Sequence, residues 1–265
     1  MPLAGDLFYH KPPMGSRPAH GRAQGVGIRA AWLFNEYAGA RVYDPSGYNN
    51  TGPFSAAPAD PSWAPGRYAG ERSLYFDGND DIQPPDSWSL KNFADGLSVV
   101  SWIQHAAWAD AGIVAKGAAG ADWKLWIGAD TRVHWDVGVT GSQSGLAPIA
   151  ANTWYQVVGT YDGAVQRLYI NGAEVDADAN VAGVAATATP VLIGTEGANW
   201  LTGYIDHVII YGRCLHWGEV AELWAAPFAG MTTPRFDLPW LSVNMRPPGQ
   251  CDIDWTMVRG KVRSG

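Results

Sequence analysis

The chain is poor in sulfur chemistry: of its 265 residues only two are cysteine, Cys214 and Cys251. Two thiols make at most one bridge, so a disulfide framework is excluded. Long apolar runs are also missing. Nothing approaches the ~18 consecutive apolar residues that a membrane-spanning helix needs, so no membrane partner is expected. The opening Met1-Pro2-Leu3-Ala4-Gly5-Asp6 has no basic start and no apolar stretch behind it, and it predicts no signal peptide. Positive charge is in deficit: 18 Lys and Arg stand against 25 Asp and Glu, a net −7. That balance speaks against nucleic acid, whose binding needs a positive field. Catalytic signatures are absent as well. There is no His-Glu-x-x-His, no Walker loop and no Gly-x-Ser-x-Gly; Gly141 to Gly145 comes nearest but carries Gln143 where a nucleophile would stand.

Aromatic and turn-forming residues are plentiful by contrast. Fourteen Trp, 32 Gly and 18 Pro accompany a 47 % hydrophobic content. The material suffices for one large β domain with many turns and few long helices. Strand-like runs follow one another at hairpin spacing, among them Arg72–Asp77, Leu97–His105, Trp123–Ile127, Val133–Val137, Trp154–Tyr161 and Val165–Ile170. Asp77-Gly78, Asp162-Gly163 and Asn171-Gly172 are turn dipeptides that supply the positive φ of tight hairpins. Tyr204–Tyr211 is apolar on both faces, as a central strand covered on both sides would be. One short helix is predicted at Glu219–Ala226, stopped by Pro227. Residues 44–70 read as a long proline-bearing loop.

The ends differ from the middle. Residues 1–30 carry +3 and residues 232–265 carry +2, which leaves −12 on the body between them. Neither end has periodicity. The sequence therefore predicts an extended N-terminal arm over 1–27, a folded domain over 28–231 and an extended C-terminal arm over 232–265. The second arm contains Phe236, Leu238, Trp240, Leu241 and Trp255, too apolar for a free tail, and a covering surface is expected.

Six phrases recur in a specific order: Trp32 to Glu36, Asp44 to Gly52, Leu74 to Gly78, Trp154 to Gly163, Leu168 to Gly172 and Gly203 to Tyr211. Together, over residues 28–228, they resemble the laminin-G-like jelly roll of the concanavalin A-like lectin/glucanase superfamily. The resemblance implies an all-β, two-sheet antiparallel sandwich. It departs from the family at His216-Trp217-Gly218, where a Ser-type helix cap is usual. Members of the family are mostly binding or structural modules, and the Leu223 to Phe228 ending is similar to bacteriophage virion proteins. What this implies is a non-enzymatic structural protein on a virion surface, such as a capsid decoration, assembled in the host cytoplasm. The jelly roll would face outward and the arms would hold it to capsid proteins or to copies of itself. The alternative is a carbohydrate-binding or adhesion module.

A degenerate glycoside hydrolase is a third reading. The glucanase branch uses Glu-x-Asp-x-x-Glu, and the nearest match, Glu174 to Ala179, lacks the last carboxylate. The resemblance also implies a structural Ca²⁺ tying the first loop to the late strand, with Asp44, Asn49 and Asp206 as ligands. The same residues equally read as turn-forming side chains and a solvent-facing Asp206. Asp77 to Asp81 resembles the start of a calcium loop but lacks its glycine, and a plain turn is preferred there. Candidate sugar-binding residues are Trp123, Trp126, Trp135 and Trp200 for stacking, with Asn199 for hydroxyls; core packing is the competing reading for each ring.

Overall fold

The computed structural model describes residues 10–232, except 57, 59, 107–108, 118–121, 139–147 and 181–182. Sixteen strands are numbered in chain order. The first eight are β1 (Arg17–Pro18), β2 (Ile28–Trp32), β3 (Arg41–Val42), β4 (Gly52–Pro53), β5 (Ser62–Pro65), β6 (Arg72–Asp77), β7 (Leu97–His105) and β8 (Ala111–Lys116). The remainder are β9 (Trp123–Ile127), β10 (Val133–Val137), β11 (Tyr155–Tyr161), β12 (Val165–Ile170), β13 (Ala173–Ala179), β14 (Val191–Ile193), β15 (Thr202–Tyr211) and β16 (Met231–Thr232). All pairings are antiparallel. The large sheet runs β13-β12-β11-β7-β15-β6-β5, with β2 continuing the same edge of β15 beyond β6. The second sheet runs β10-β9-β8-β14.

The two sheets enclose one core. Trp123, Leu125 and Ile127 of β9 and Val133, Trp135 and Val137 of β10 meet Leu97, Val99, Val157, Leu168, Val208 and Ile210 of the large sheet. Alternation explains why these residues and not their neighbours point inward: side chains two apart share a face. On the other face of the large sheet, Ala31, Val100, Val158, Tyr169, Ile209 and Tyr211 are covered by Val220 and Leu223 of helix α1 (Trp217–Ala225) and by Phe228. The double cover accounts for the continuous apolar run of β15. The helix begins two residues before its sequence expectation because an imidazole does the work of the missing Ser. His216 Nδ1 accepts from Gly218 N at 3.2 Å, and Glu219 Oε2 accepts from His216 N at 3.0 Å.

Two sequence expectations need correction. Residues 10–27 are not an arm waiting for a partner; they dock on their own chain. β1 pairs with β16, Tyr211 Oη donates to Gln24 O at 2.9 Å, and the Lys11 side chain is buried. Contacts to residues 60 to 195 positions away leave no local periodicity to read. The loop expected over 44–70 also contains β5, an edge strand on β6, where Pro65 is tolerated because an edge strand needs fewer ladder donors. Residues 1–9 and 233–265 lie outside the described residues, as do Phe236, Leu238, Trp240, Leu241, Trp255 and Cys251. Among the described residues no helix is long and apolar enough to cross a membrane.

Candidate functional site

The implied calcium ligands are not brought together. Asp44 is spent on its own loop: its carboxylate accepts from the N–H of Ala31, Ser46 and Asn50, from Ser46 Oγ and from Asn50 Nδ2, at 2.6–2.9 Å. Asn49 is an exposed turn residue at φ 58°. Asp206 does not face solvent. It is fully buried, 3.4 Å from Lys11 Nζ, and its Oδ2 is 2.9 Å from His207 Nδ1. Among the described residues Asp44 and Asp206 share no hydrogen-bond partner. Among the described residues no group of three His, Cys, Asp or Glu side chains could hold a metal. The Asp77 to Asp81 stretch is a turn in which Asp80 Oδ2 accepts from Asp77 N at 2.7 Å.

Lys11 is the cation that Asp206 pairs with. Its ammonium donates to Arg72 O and Asp206 O, each at 2.5 Å, and to Phe34 O at 3.4 Å. Burial pushes the lysine pKa down against the pull of Asp206. Asp206 is held well below the carboxylate range: burial would raise it, but the Lys11 charge and the His207 hydrogen bond outweigh that.

The sugar-binding candidates divide in two. Trp123 and Trp135 are wholly buried, their rings 6.2 Å apart in the core, and they are withdrawn as platforms because no ligand reaches them. Trp126 and Asn199 come to one surface, the outer face of the four-stranded sheet. Trp126 stands directly opposite His134 in the β9–β10 register, and the rings stack at 4.4 Å and 22°. Trp126 Nε1 donates to Asp136 Oδ2 at 2.9 Å. The Lys124 ammonium lies 4.4 Å from the Trp126 ring, 4.0 Å from Asp136 and 3.8 Å from Glu196. Asn199 Nδ2 donates to Glu196 Oε1 at 2.7 Å. The turn carrying Glu196 and Asn199 lies on the sheet because Gly112, opposite Trp126, has no side chain; a Cβ there would be 2.0 Å from Glu196 N. Trp200 closes this turn by a bridge to Thr195 and is 40 % exposed.

This face combines an aromatic ring with carboxylates and an amide, the groups that stack on a pyranose and bond its hydroxyls. Asp136 Oδ1 and His134 Nδ1 are buried without a hydrogen-bond partner among the described residues. Burial raises the Asp136 pKa, against the Trp126 N–H and the Lys124 charge. Asp130, 3.0 Å from His134 Nε2, is held low: burial opposes this, and the hydrogen bond to His134 prevails. Lys124, His134, Asp136 and Glu196 were not anticipated from sequence. Strand parity would have found the first three; nothing local signals Glu196. The residues of the degenerate glucanase motif lie elsewhere, on edge strand β13, where Glu174 accepts from Tyr169 Oη at 3.0 Å. A separate cleft of about 800 Å³ is lined by residues 13–18, His20, Leu33, Asn35 and residues 43–47; of its polar groups, Asp44 and Ser46 are bonded to each other.

A laminin-G family model, described as Concanavalin A-like lectin/glucanases superfamily, matches residues 69–221, more than half of the chain. No curated protein matches the sequence. Solved structures do. The binding domain of Paraclostridial Mosquitocidal Protein 1 is 16 % identical with a TM-score of 0.58, over 75 % of this chain and 52 % of that one. Domain 4 of AbnA, a GH43 extracellular arabinanase from Geobacillus stearothermophilus solved with arabinotriose, is 18 % identical with a TM-score of 0.58, over 74 % and 97 %. Trypanosoma rangeli sialidase is 15 % identical with a TM-score of 0.59, over 84 % and 37 %. At these identities the likeness is one of fold. The chain spans about half the length of the first of them and about a third of the sialidase.

Proposed function

The chain belongs to the concanavalin A-like lectin/glucanase superfamily, and from that premise we propose that it is a non-catalytic carbohydrate-binding module whose sugar site is the outer face of the four-stranded sheet. The observation that carries this reading is the Trp126 ring set among Asp136, Glu196 and Asn199. Lys124 now covers part of the ring, but on a flexible stem and with ion pairs at the outer limit of contact. At those separations neither carboxylate makes a close contact with the ammonium, so a sugar ring can take its place over the indole. Support also comes from the AbnA domain, which was solved with an arabinose oligosaccharide. The acidic company of Asp130, Asp136 and Glu196 favours a neutral glycan here. The test is a glycan array followed by calorimetry on the hits. Trp126→Ala is expected to weaken binding at least tenfold, about 1.4 kcal/mol, while Lys124→Ala leaves it intact or improves it. An array without neutral hits, or a hit indifferent to Trp126, removes the site.

A second reading is favoured by exposed Trp217 and Trp224, at 65 % and 38 % exposure on helix α1, together with the apolar residues 236–255. It is the surface component of a bacteriophage virion, joined to capsid proteins or to copies of itself through its C-terminal segment. Light scattering after size-exclusion chromatography is expected to show an oligomer for the full chain and a monomer for residues 1–234. Equal masses would count against assembly through that segment.

A further inference from the structure

Strand β2 carries one residue more than its partner. Ala30 pairs with Ile210 and Ile28 with Tyr211, which leaves Arg29 opposite nothing. A bulge of this kind turns a side chain out of the sheet. Four neighbours receive Arg29. Its carbonyl accepts from Ser46 Oγ at 3.2 Å and Asn50 Nδ2 at 2.9 Å, which fixes the Asp44-organised loop to the bulge. Asn50 Oδ1 in turn accepts from Ser87 Oγ at 2.6 Å and Ser89 Oγ at 3.2 Å, which fixes the turn at Trp88–Leu90. The guanidinium then lies 5.5 Å from the Tyr48 ring and 5.3 Å from the Trp88 ring, with Nη1 donating to Tyr48 Oη at 3.2 Å. Gly212 makes room, since a Cβ there would stand 2.3 Å from Arg29 Nε.

Two further properties point to a ligand. Trp88 and Tyr48 are 65 % and 44 % exposed, although their loops are held by buried hydrogen bonds. Among the described residues Arg29 makes no ion pair, in a chain whose net charge is −7. A guanidinium offers forked donors to a carboxylate, and a tryptophan or tyrosine ring offers a face to the C–H side of a pyranose.

We propose that Arg29, Tyr48 and Trp88 form a second binding site, for a carboxylate-bearing sugar such as a uronic acid residue. The carboxylate pairs with Arg29 and the sugar ring lies on Trp88, with the Tyr48 hydroxyl and exposed Asn49 within the same loop for its hydroxyls. Gly212 is a positioning residue that sets the course of the arginine. The site shares no residue with the sheet face around Trp126, so the two fail separately.

The experiment is calorimetric titration of the full chain with an oligouronate, its methyl ester and a glutamate hexapeptide. Wild type is expected to bind the acid at least about tenfold more tightly than the ester, one charge-assisted contact's worth. Arg29→Gln should erase that preference, Trp88→Ala should abolish both, and Gly212→Ala should weaken the acid selectively. Trp126→Ala should change none of these. Thermal melts of each variant guard against misfolding; the contacts that hold the bulge are made by the Arg29 carbonyl, which Arg29→Gln keeps. No binding of the oligouronate, equal affinity for acid and ester, acid binding that survives Arg29→Gln, or a peptide that binds as well as the sugar would each overturn the assignment.

Discussion

Replacing Lys11 by methionine is expected to destabilise the fold by about 3–5 kcal/mol, because it strands a buried carboxylate without its counter-charge. The Lys11 and Asp206 side chains are 1 % and 0 % exposed, so water cannot take over from the ammonium. Phe34 O, Arg72 O and Asp206 O lose the same donor together. In a domain of this size the melting temperature should fall by roughly 10 °C. Adding Asp206→Asn to Lys11→Met removes the stranded charge and should restore part of the loss. The pH dependence follows from the same groups. Burial holds the His207 imidazole below its ordinary value, so its contribution is complete above the unfolded value of about 6.5 and is lost as pH falls below it. Asp206, also depressed, contributes fully above about 3.9 and loses that contribution on further acidification. Denaturation followed from pH 8 to 3 should therefore show stability falling in two stages. A Lys11→Met protein as stable as wild type would mean that residues 10–27 merely rest on the surface.

This ion pair marks the limit of what the sequence discloses. Hairpins were legible because their signals are local: Asn171 and Gly172 adopt φ of 50° and 79°, as the turn dipeptide requires. The double-sided apolar run of β15 announced a covered central strand. Lys11 and Asp206, 195 positions apart, announce nothing, and for that reason the sequence offers Asp206 only as an implied calcium ligand or a solvent-facing carboxylate. The tryptophans lie between these cases. Trp123 and Trp126 differ in parity along β9, and only the first shares the face of Leu125 and Ile127. Attention to alternation separates them; aromatic identity does not. The opposition of Trp126 to His134 needs the register of two strands, and the bulge at Arg29 needs the partner strand, so neither can be read from one strand alone.

Trp135→Ala should be the most damaging of the tryptophan truncations considered, about 3–5 kcal/mol, whereas Trp200→Ala should fall within about 0.5 kcal/mol of wild type. Trp135 lies at zero exposure across the sandwich from β11, where its Nε1 donates to Thr160 O at 3.0 Å. Its ring covers Gly159 so closely that a Cβ there would be 2.2 Å from Trp135 Cδ2. Truncation therefore opens a cavity between the sheets and leaves that carbonyl without the indole donor. The converse change, Gly159→Ala, drives a methyl into the ring and should cost about 1–3 kcal/mol. Because the two alter one contact, their effects should not add: the methyl of Gly159→Ala has room once the indole is gone, so the double variant should be less damaged than the sum. Urea denaturation of the four proteins provides the check. Additive losses, or a Trp135→Ala protein no weaker than Trp200→Ala, would mean that the ring is not the pin between the sheets, and Trp135 would return as a surface candidate.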